Sequence, residues 1–215
     1  IYFIRSALKG CGRAVIGLSG GLDSAVVTKL TADAIGGENV TCIFMPFGDR
    51  SDRDREAAAE IAELCGVRFI EMPIDSAVSA FTDITGEATL LTKGNIAARC
   101  RMTILYDTAK KNDALVIGTS NLSERMMGYF TKFGDGACDI APIANLFKTQ
   151  IRELAEMIGI PGDIIDKPPS AGFWEGQTDE DELGMTYGEL DVILCGIDSR
   201  LTDGEICYLT GYSKE

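Results

Sequence analysis

The chain has 215 residues, 46% of them apolar and 25% charged, and its 33 acidic against 20 basic side chains leave a net charge of −13. That length holds one well-cored domain of ordinary globular composition, and the acidic balance argues against binding nucleic-acid backbones, which need basic surface. No run approaches the ~18 uninterrupted apolar residues of a membrane span, so neither a nucleic acid nor a membrane is expected as a partner.

Short β-branched runs alternate with longer helical patterns along the chain. Ala14 to Leu18 reads as a buried strand, followed by Ser-Gly-Gly and a helix from about Leu22 to Ala34 that Gly36-Gly37 breaks. Val40 to Met45 is the second expected strand, Asp52 to Cys65 an amphipathic helix ended by Gly66, and Val67 to Met72 the third strand. Asn95 to Lys111 reads as a helix and Ala114 to Ile117 as the fourth strand. Such alternation implies right-handed βαβ units and an α/β fold, with a doubly wound parallel sheet covered on both faces.

Beyond Gly118 the rhythm changes. Gly128 to Ile143 is glycine-studded, Lys148 to Ile158 is helical, and Asp166 to Gly184 is rich in Pro, Gly and acids around the lone Trp174. A long irregular loop of that kind is usually either functional or disordered. After Thr186 the pattern is helical at first and then gives no clear element.

The seven cysteines (Cys11, Cys42, Cys65, Cys100, Cys138, Cys195, Cys207) form no CxxC pair, and there is no histidine. A zinc site of the usual Cys/His kind is therefore not expected. Reduced cysteines in apolar stretches act as small hydrophobes, which points to a reducing compartment and so to the cytoplasm.

Chemistry concentrates at Ser19-Gly20-Gly21-Leu22-Asp23-Ser24, directly after the first strand and opening the first helix. Ligands of open parallel sheets bind at that strand end. Two glycines let the backbone approach a ligand, the serines add hydroxyls, and the helix start favours an anion. Asp23 repels phosphate directly but can hold a Mg²⁺ that faces it. The loop is neither GxxxxGK[ST] nor GxGxxG; it resembles the SGGxDS signature of the ATP pyrophosphatase superfamily, whose fold is adenine nucleotide alpha hydrolase-like, a Rossmann-like arrangement. Further along, Asn95-Ile96-Ala97-Ala98-Arg99-Cys100-Arg101-Met102 and Gly118-Thr119-Ser120-Asn121-Leu122-Ser123-Glu124 resemble segments of the NAD synthetases. So do Thr131-Lys132-Phe133-Gly134-Asp135-Gly136, then Asp139, Pro142 and Lys148, and finally Lys167-Pro168-Pro169-Ser170-Ala171 with Asp179-Glu180 before Glu182-Leu183-Gly184.

The resemblance implies an ammonia-dependent synthetase that amidates deamido-NAD with ATP, through an adenylylated carboxylate, releasing AMP and pyrophosphate. It implies that Asp23 and Glu124 bind Mg²⁺. Leu18, Ser19, Gly20, Gly21, Leu22, Asp23, Ser24, Thr119, Lys148 and Ser170 would contact ATP, with adenine at Phe44-Met45. Arg99, Lys132 and Asp139 would hold deamido-NAD, and Asp135 would be linked to the ammonia. Asp135, Lys148 and Ser170 are thus expected to carry the chemistry. Segment 166–184 is expected to order over bound ligands as a mobile lid within a single domain spanning residues 1–215, and a homodimer is expected. Only about 18 residues run through the first strand, too few for an amidase domain, so free ammonia is the expected donor. The His-Lys pair that relatives show near their C-terminus is not matched in this histidine-free sequence.

Each residue also has a plainer reading. Arg99, Arg101 and Lys148 could be helix-surface charges, Lys132 a solvated loop residue and Asp135 a turn former. Thr119 with Glu124 could be a helix cap and its first-turn acid, and Ser170 could cap a turn. Two other functions stay open at this point. A sister pyrophosphatase, such as a GMP synthetase or a tRNA thiolase, shares the loop, although a thiolase calls for basic surface. A nucleotide-binding sensor would share the scaffold without the turnover.

Overall fold

A computed structural model describes residues 1–48, 52–86, 89–170 and 178–212. In chain order its elements are α1 (Tyr2–Ala7), β1 (Ala14–Gly17), α2 (Leu22–Ile35), β2 (Val40–Phe44), α3 (Asp52–Cys65), β3 (Arg68–Glu71), α4 (Asp75–Thr85), α5 (Leu90–Asn112) and β4 (Leu115–Ile117). Then follow α6 (Leu122–Met127), α7 (Lys148–Met157), α8 (Gly162–Ile165), α9 (Asp179–Leu183), α10 (Tyr187–Asp198) and α11 (Asp203–Thr210).

The four strands form one parallel sheet in the order β3-β2-β1-β4. Ala14 stands opposite Val40 on one side and Leu115 on the other. Successive strand residues point to opposite faces, and both faces are apolar. Ile16, Cys42, Phe44 and Ile117 join the layer of α2, α3 and α7, where Ala25, Val26, Ile61 and Ile151 are buried. Val15, Ile43 and Val116 join the other layer, with Val78 of α4 and Ala97 of α5. The expected doubly wound α/β sheet is thus present. The chain reverses direction across the sheet between β1 and β4, since β2 and β3 are added on one side of β1 and β4 on the other.

The helix α2 lies in the middle of its layer, which explains its apolar sequence on nearly all sides; Leu22, Ala25, Val26, Val27 and even Thr28 and Thr31 are buried. Thr31 satisfies its hydroxyl by donating to the Val27 carbonyl at 2.7 Å. At the end of this helix Gly36 takes φ 87°, and a Cβ on Gly37 would lie 2.2 Å from the Cys65 carbonyl oxygen. The paired glycines therefore stop the helix and let its end pass close to the end of α3.

Several helices exceed the sequence pattern. The helix expected over 95–111 begins at Leu90, capped by the Thr89 hydroxyl, which accepts from the Thr92 amide at 3.2 Å. Helices α1, α4, α8 and α11 stand where no element is expected, and α6 where a helix is only the plainer reading of Thr119 with Glu124. Of these, α11 carries a reciprocal Thr202–Glu205 cap, a T-x-x-E signature that was available to be read. Helix α9 corrects the reading of 166–184 as irregular throughout, its start capped by the Thr178 hydroxyl. A third apolar cluster, Phe147, Tyr187, Leu190 and Leu194, packs α10 against the start of α7. No described helix is long and apolar enough to cross a membrane.

Candidate active site at the β1–β4 switch point

A cavity of about 1240 Å³ opens above the carboxyl ends of β1, β2 and β4. It is larger than the ~300–1,000 Å³ usual for one small ligand, which suits two substrates side by side. Leu18, Ser19, Gly21, Leu22, Asp23 and Ser24 line it, as do Phe44, Met45, Thr119, Lys148 and Ser170. The residues expected to contact ATP are thereby brought together, Gly20 aside.

Gly20 shapes the loop from behind. It takes φ 78°, and a Cβ there would lie 2.3 Å from the Asp54 carbonyl oxygen. The two serines wire the turn internally. Ser24 Oγ accepts from the Ser19 amide at 3.2 Å and donates to the Gly21 carbonyl at 2.9 Å, while Ser19 Oγ accepts from the Gly21 amide at 3.3 Å. Among the described residues no side chain caps the start of α2. Its first amides and the positive end of its dipole therefore face the cavity, an arrangement that favours an anion.

Beside the loop, three ionisable side chains meet, one of them the loop's own Asp23. The Lys148 ammonium donates to Asp23 Oδ2 and stands 3.8 Å from Glu124 Oε1, and all three side chains are largely buried. Asp23 comes from the first turn of α2 just after β1, Glu124 from α6 just after β4, and Lys148 from the first turn of α7. Lys148 is only 6% exposed, so it is no solvated surface charge. Its ammonium lies 5.4 Å from the centre of the Tyr187 ring, a cation–π distance. Burial depresses the lysine, but Asp23 and Glu124 outweigh it, so its pKa ends above the ordinary value. For Glu124, burial and then Asp23 push the carboxyl up to about 8, against the opposing pull of Lys148. One ammonium beside two carboxylates leaves an excess negative charge in a poorly hydrated place, and the easier protonation of Glu124 is the physical response.

Asn121 links the acids. Its side-chain amide donates to Asp23 Oδ1 at 3.3 Å, and its carbonyl oxygen accepts from the Glu124 amide at 2.9 Å. Glu124 answers by accepting from the Asn121 amide at 3.3 Å, which completes a capping box on α6. The alternative reading of Thr119 as this cap is corrected: the cap is Asn121, and Thr119 stays in the loop lining the cavity.

Other contacts were not expected from the sequence. The Lys167 ammonium donates to the Gly20 carbonyl at 3.0 Å and pairs with Asp54, pinning the glycine turn to α3. Arg101 Nε donates to the Met45 carbonyl at 3.0 Å, so α5 fixes the backbone at the end of β2. Phe44 turns its ring into the core, stacked 6.5 Å from Phe69, which leaves the backbone to face the cavity. The Tyr129 hydroxyl lies within hydrogen-bond distance of the carboxylates of Asp179, at 3.2 Å, and Glu182 and can donate to either, tying α9 to the cavity wall. Of the expected lid, residues 166–170 and 178–184 are described, and 171–177, with Ala171 and Trp174, lie outside the described residues. The two described ends are joined, the Asp179 amide donating to the Pro169 carbonyl at 3.0 Å.

The remaining expected residues occupy different surroundings. Asp135 lines the cavity. It is exposed as a residue, yet its carboxyl folds back to accept from the Thr131 amide at 2.9 Å. Desolvation there raises its pKa, opposed by that amide. Arg99 and Lys132 lie together outside the cavity, with the Arg99 guanidinium donating to the Lys132 carbonyl at 3.2 Å. The Lys132 ammonium sits 5.1 Å over the exposed Phe133 ring. Asp139 also lies off the cavity, its carboxylate accepting from the Val116 amide at 2.7 Å.

Comparison with known proteins agrees with this geometry. The sequence profile of the NAD synthase family matches residues 2–215. An NH(3)-dependent NAD(+) synthetase of Chlorobaculum tepidum is 46% identical over 194 residues, covering 89% of this chain and 70% of its own. Among solved structures, an NMN synthetase from Francisella tularensis superposes with a TM-score of 0.86 at 38% identity, over 98% of this chain and 89% of that one. An NH3-dependent NAD synthetase from Campylobacter jejuni follows at a TM-score of 0.80 and 30% identity, over 100% of this chain and 93% of that one. With a profile match over nearly its whole length, an anion-ready SGGxDS turn and two acids meeting a buried lysine across the switch point, the chain belongs to the NAD synthase family.

Proposed function

We propose that this chain amidates deamido-NAD to NAD with ammonia and ATP, through an adenylylated carboxylate. The observation that carries the reading is the meeting of Asp23, Glu124 and Lys148 beside the open start of α2. A carboxylate is a poor acyl donor because its leaving group would be oxide. When its oxygen attacks the α-phosphorus of ATP, the bond to the bridging oxygen breaks and pyrophosphate leaves. Ammonia then attacks the carbonyl carbon and AMP departs. Positioning and charge stabilisation are the protein's main contributions.

The α2 amides and the serine hydroxyls would hold the leaving diphosphate, and Lys148 would offset its charge. Thr119 and Ser170 would complete the ATP contacts, with the adenine against the Phe44–Met45 backbone. Two carboxylates converge on one cationic group here, which is the donor chemistry a hard divalent ion needs. Asp23 and Glu124 would hold Mg²⁺, and the ion would supply further positive charge to the phosphates. Asp135, whose raised pKa makes it the stronger base, would take the proton from ammonium or orient ammonia. Arg99, Lys132 and Asp139 would meet the distant half of the dinucleotide beyond the cavity rim. Segment 166–184 would keep water from the adenylate.

Incubation with deamido-NAD, Mg·ATP and ammonium should yield NAD, AMP and pyrophosphate; ADP and phosphate in their place would overturn attack at the α-phosphorus. The likeness to the NMN synthetase, with Arg99 and Lys132 outside the cavity, favours a second reading in which the acid is a mononucleotide. Competition between nicotinate mononucleotide and deamido-NAD decides between them. A homodimer in the cytoplasm completes the proposal. Sedimentation tests the assembly, and the seven unpaired thiols support the compartment.

A further inference from the structure

Lys148 is the first residue of α7, and the amides that open this helix are bonded by residues from two other helices. The Lys148 amide donates to Ser123 Oγ at 2.9 Å. The next amide, of Thr149, donates to Asp191 Oδ2 at 2.8 Å. Ser123 Oγ donates in turn to Asp191 Oδ1 at 2.5 Å. Ser123 is 0% exposed and Asp191 4%, so neither bond can be replaced by solvent. A buried carboxylate is costly unless it is paired or well bonded; here two donors and the positive end of a helix of 10 residues hold it.

The geometry has a further consequence. Ser123 immediately precedes Glu124 on α6, and Asp191 thereby clasps α6 and α7, the elements that carry one acid and the lysine of the cavity. Asp191 and Tyr187 lie four apart on α10, on one face of that helix. Tyr187 puts its ring beneath the Lys148 ammonium while Asp191 holds the backbone behind it. We infer that Asp191, acting with Ser123, is a positioning residue that fixes Lys148 against the phosphate-binding turn. The α7 start is thereby already occupied by a carboxylate of the same chain, which leaves the α2 start as the helix end offered to phosphate.

This inference rests on the reading that Lys148 meets ATP, and the experiment separates the two. ATP binding in the presence of magnesium is measured by calorimetry for the wild-type chain, Asp191→Asn, Lys148→Met and the double variant, with circular dichroism confirming the fold of each. The asparagine keeps the shape but can accept only one of the two hydrogen bonds. Asp191→Asn should weaken ATP about tenfold when Lys148 is present and less than about twofold in the Lys148→Met background, because residues that act through one group are non-additive. Ser123→Ala should show the same pattern at about threefold, and it carries the test should Asp191→Asn fail to fold. Equal losses in both backgrounds, or wild-type binding by a folded Asp191→Asn or, in its place, Ser123→Ala, would overturn the positioning role alone. Wild-type binding by Lys148→Met would overturn the reading of Lys148 and the inference with it.

Discussion

The inner wall of the cavity and its outer rim are built in different ways. On the wall, Asp23, Asn121, Glu124 and Lys148 are largely buried, bonded to one another and carried by three separate elements. On the rim, Arg99 and Lys132 are exposed and joined by one hydrogen bond to a carbonyl. The wall is set before any ligand arrives, which is what electrostatic stabilisation of transferring phosphate requires. The rim leaves side chains free to meet a second, larger substrate. Changes on the wall should therefore alter stability and chemistry together, and changes on the rim only apparent affinity.

The largest test of that contrast is the wall itself. Asp23→Ala and Glu124→Ala should each lower kcat by about 10²–10³-fold, the usual loss when a group stabilising developing charge is removed. Near-normal turnover with unchanged magnesium dependence in either would take that residue out of the metal site.

Next comes Gly20→Ala, which forces a left-handed backbone on alanine and drives its Cβ onto the Asp54 carbonyl. A loss of several kcal/mol in urea unfolding is expected, since αL strain alone is about 1–2 kcal/mol; an unchanged midpoint would show that the turn has slack.

A pH test follows from Glu124. Its folded pKa, pushed up to about 8, lies above the value of an unfolded glutamate. The protonated form is thus favoured by folding, so this contribution is fully present below about pH 4 and is lost as pH rises toward 8. Metal-free protein should lose a few kcal/mol over that window, at about 1.4 kcal/mol per unit, and Glu124→Gln should flatten the slope while lowering kcat no further than the alanine does. A wild-type slope retained in Glu124→Gln would assign the titration to another group.

The smallest effects belong to the rim. Arg99→Ala and Lys132→Ala should raise the KM for the dinucleotide about tenfold, leave the KM for ATP unchanged, and shift stability by no more than ~0.5 kcal/mol. A matching rise in the KM for ATP would erase the distinction between wall and rim.

Much of the wall was legible in the sequence because its signal is local. SGGxDS follows an apolar strand and opens a helix, and Glu124 and Lys148 come with recognisable flanks. Strands β1, β2 and β4 were readable because their burial leaves β-branched, largely apolar runs such as Leu115-Val116-Ile117, whereas edge strand β3, exposed at Arg68 and Glu71, showed only the short run Val67, Phe69 and Ile70 after Gly66. What escaped depends on tertiary contact. Helix α4, with its serines and threonines, has weak intrinsic preference and is held by Ile74 and Val78 in the core. The start of α5 was hidden by Gly94, a poor helix former that is buried there. Lys167 and Asp54 are 113 positions apart, and nothing local predicts their pairing. The capping role of Asn121 was not read, and Thr119 stood as the alternative cap, although N-x-x-E is itself a capping signature.

Asp139 has a second consequence, at the margin of the sheet. Its carboxylate takes the outward Val116 amide, its own amide donates to the Val116 carbonyl at 2.9 Å, and Ile140 forms a parallel bridge with Ile117. A bare strand edge is a template for pairing with another chain, and this short stretch covers β4 on that side. An Asp139 variant made to probe the dinucleotide would also unseal that border, so a fall in its activity could come from self-association, and light scattering should accompany its kinetics.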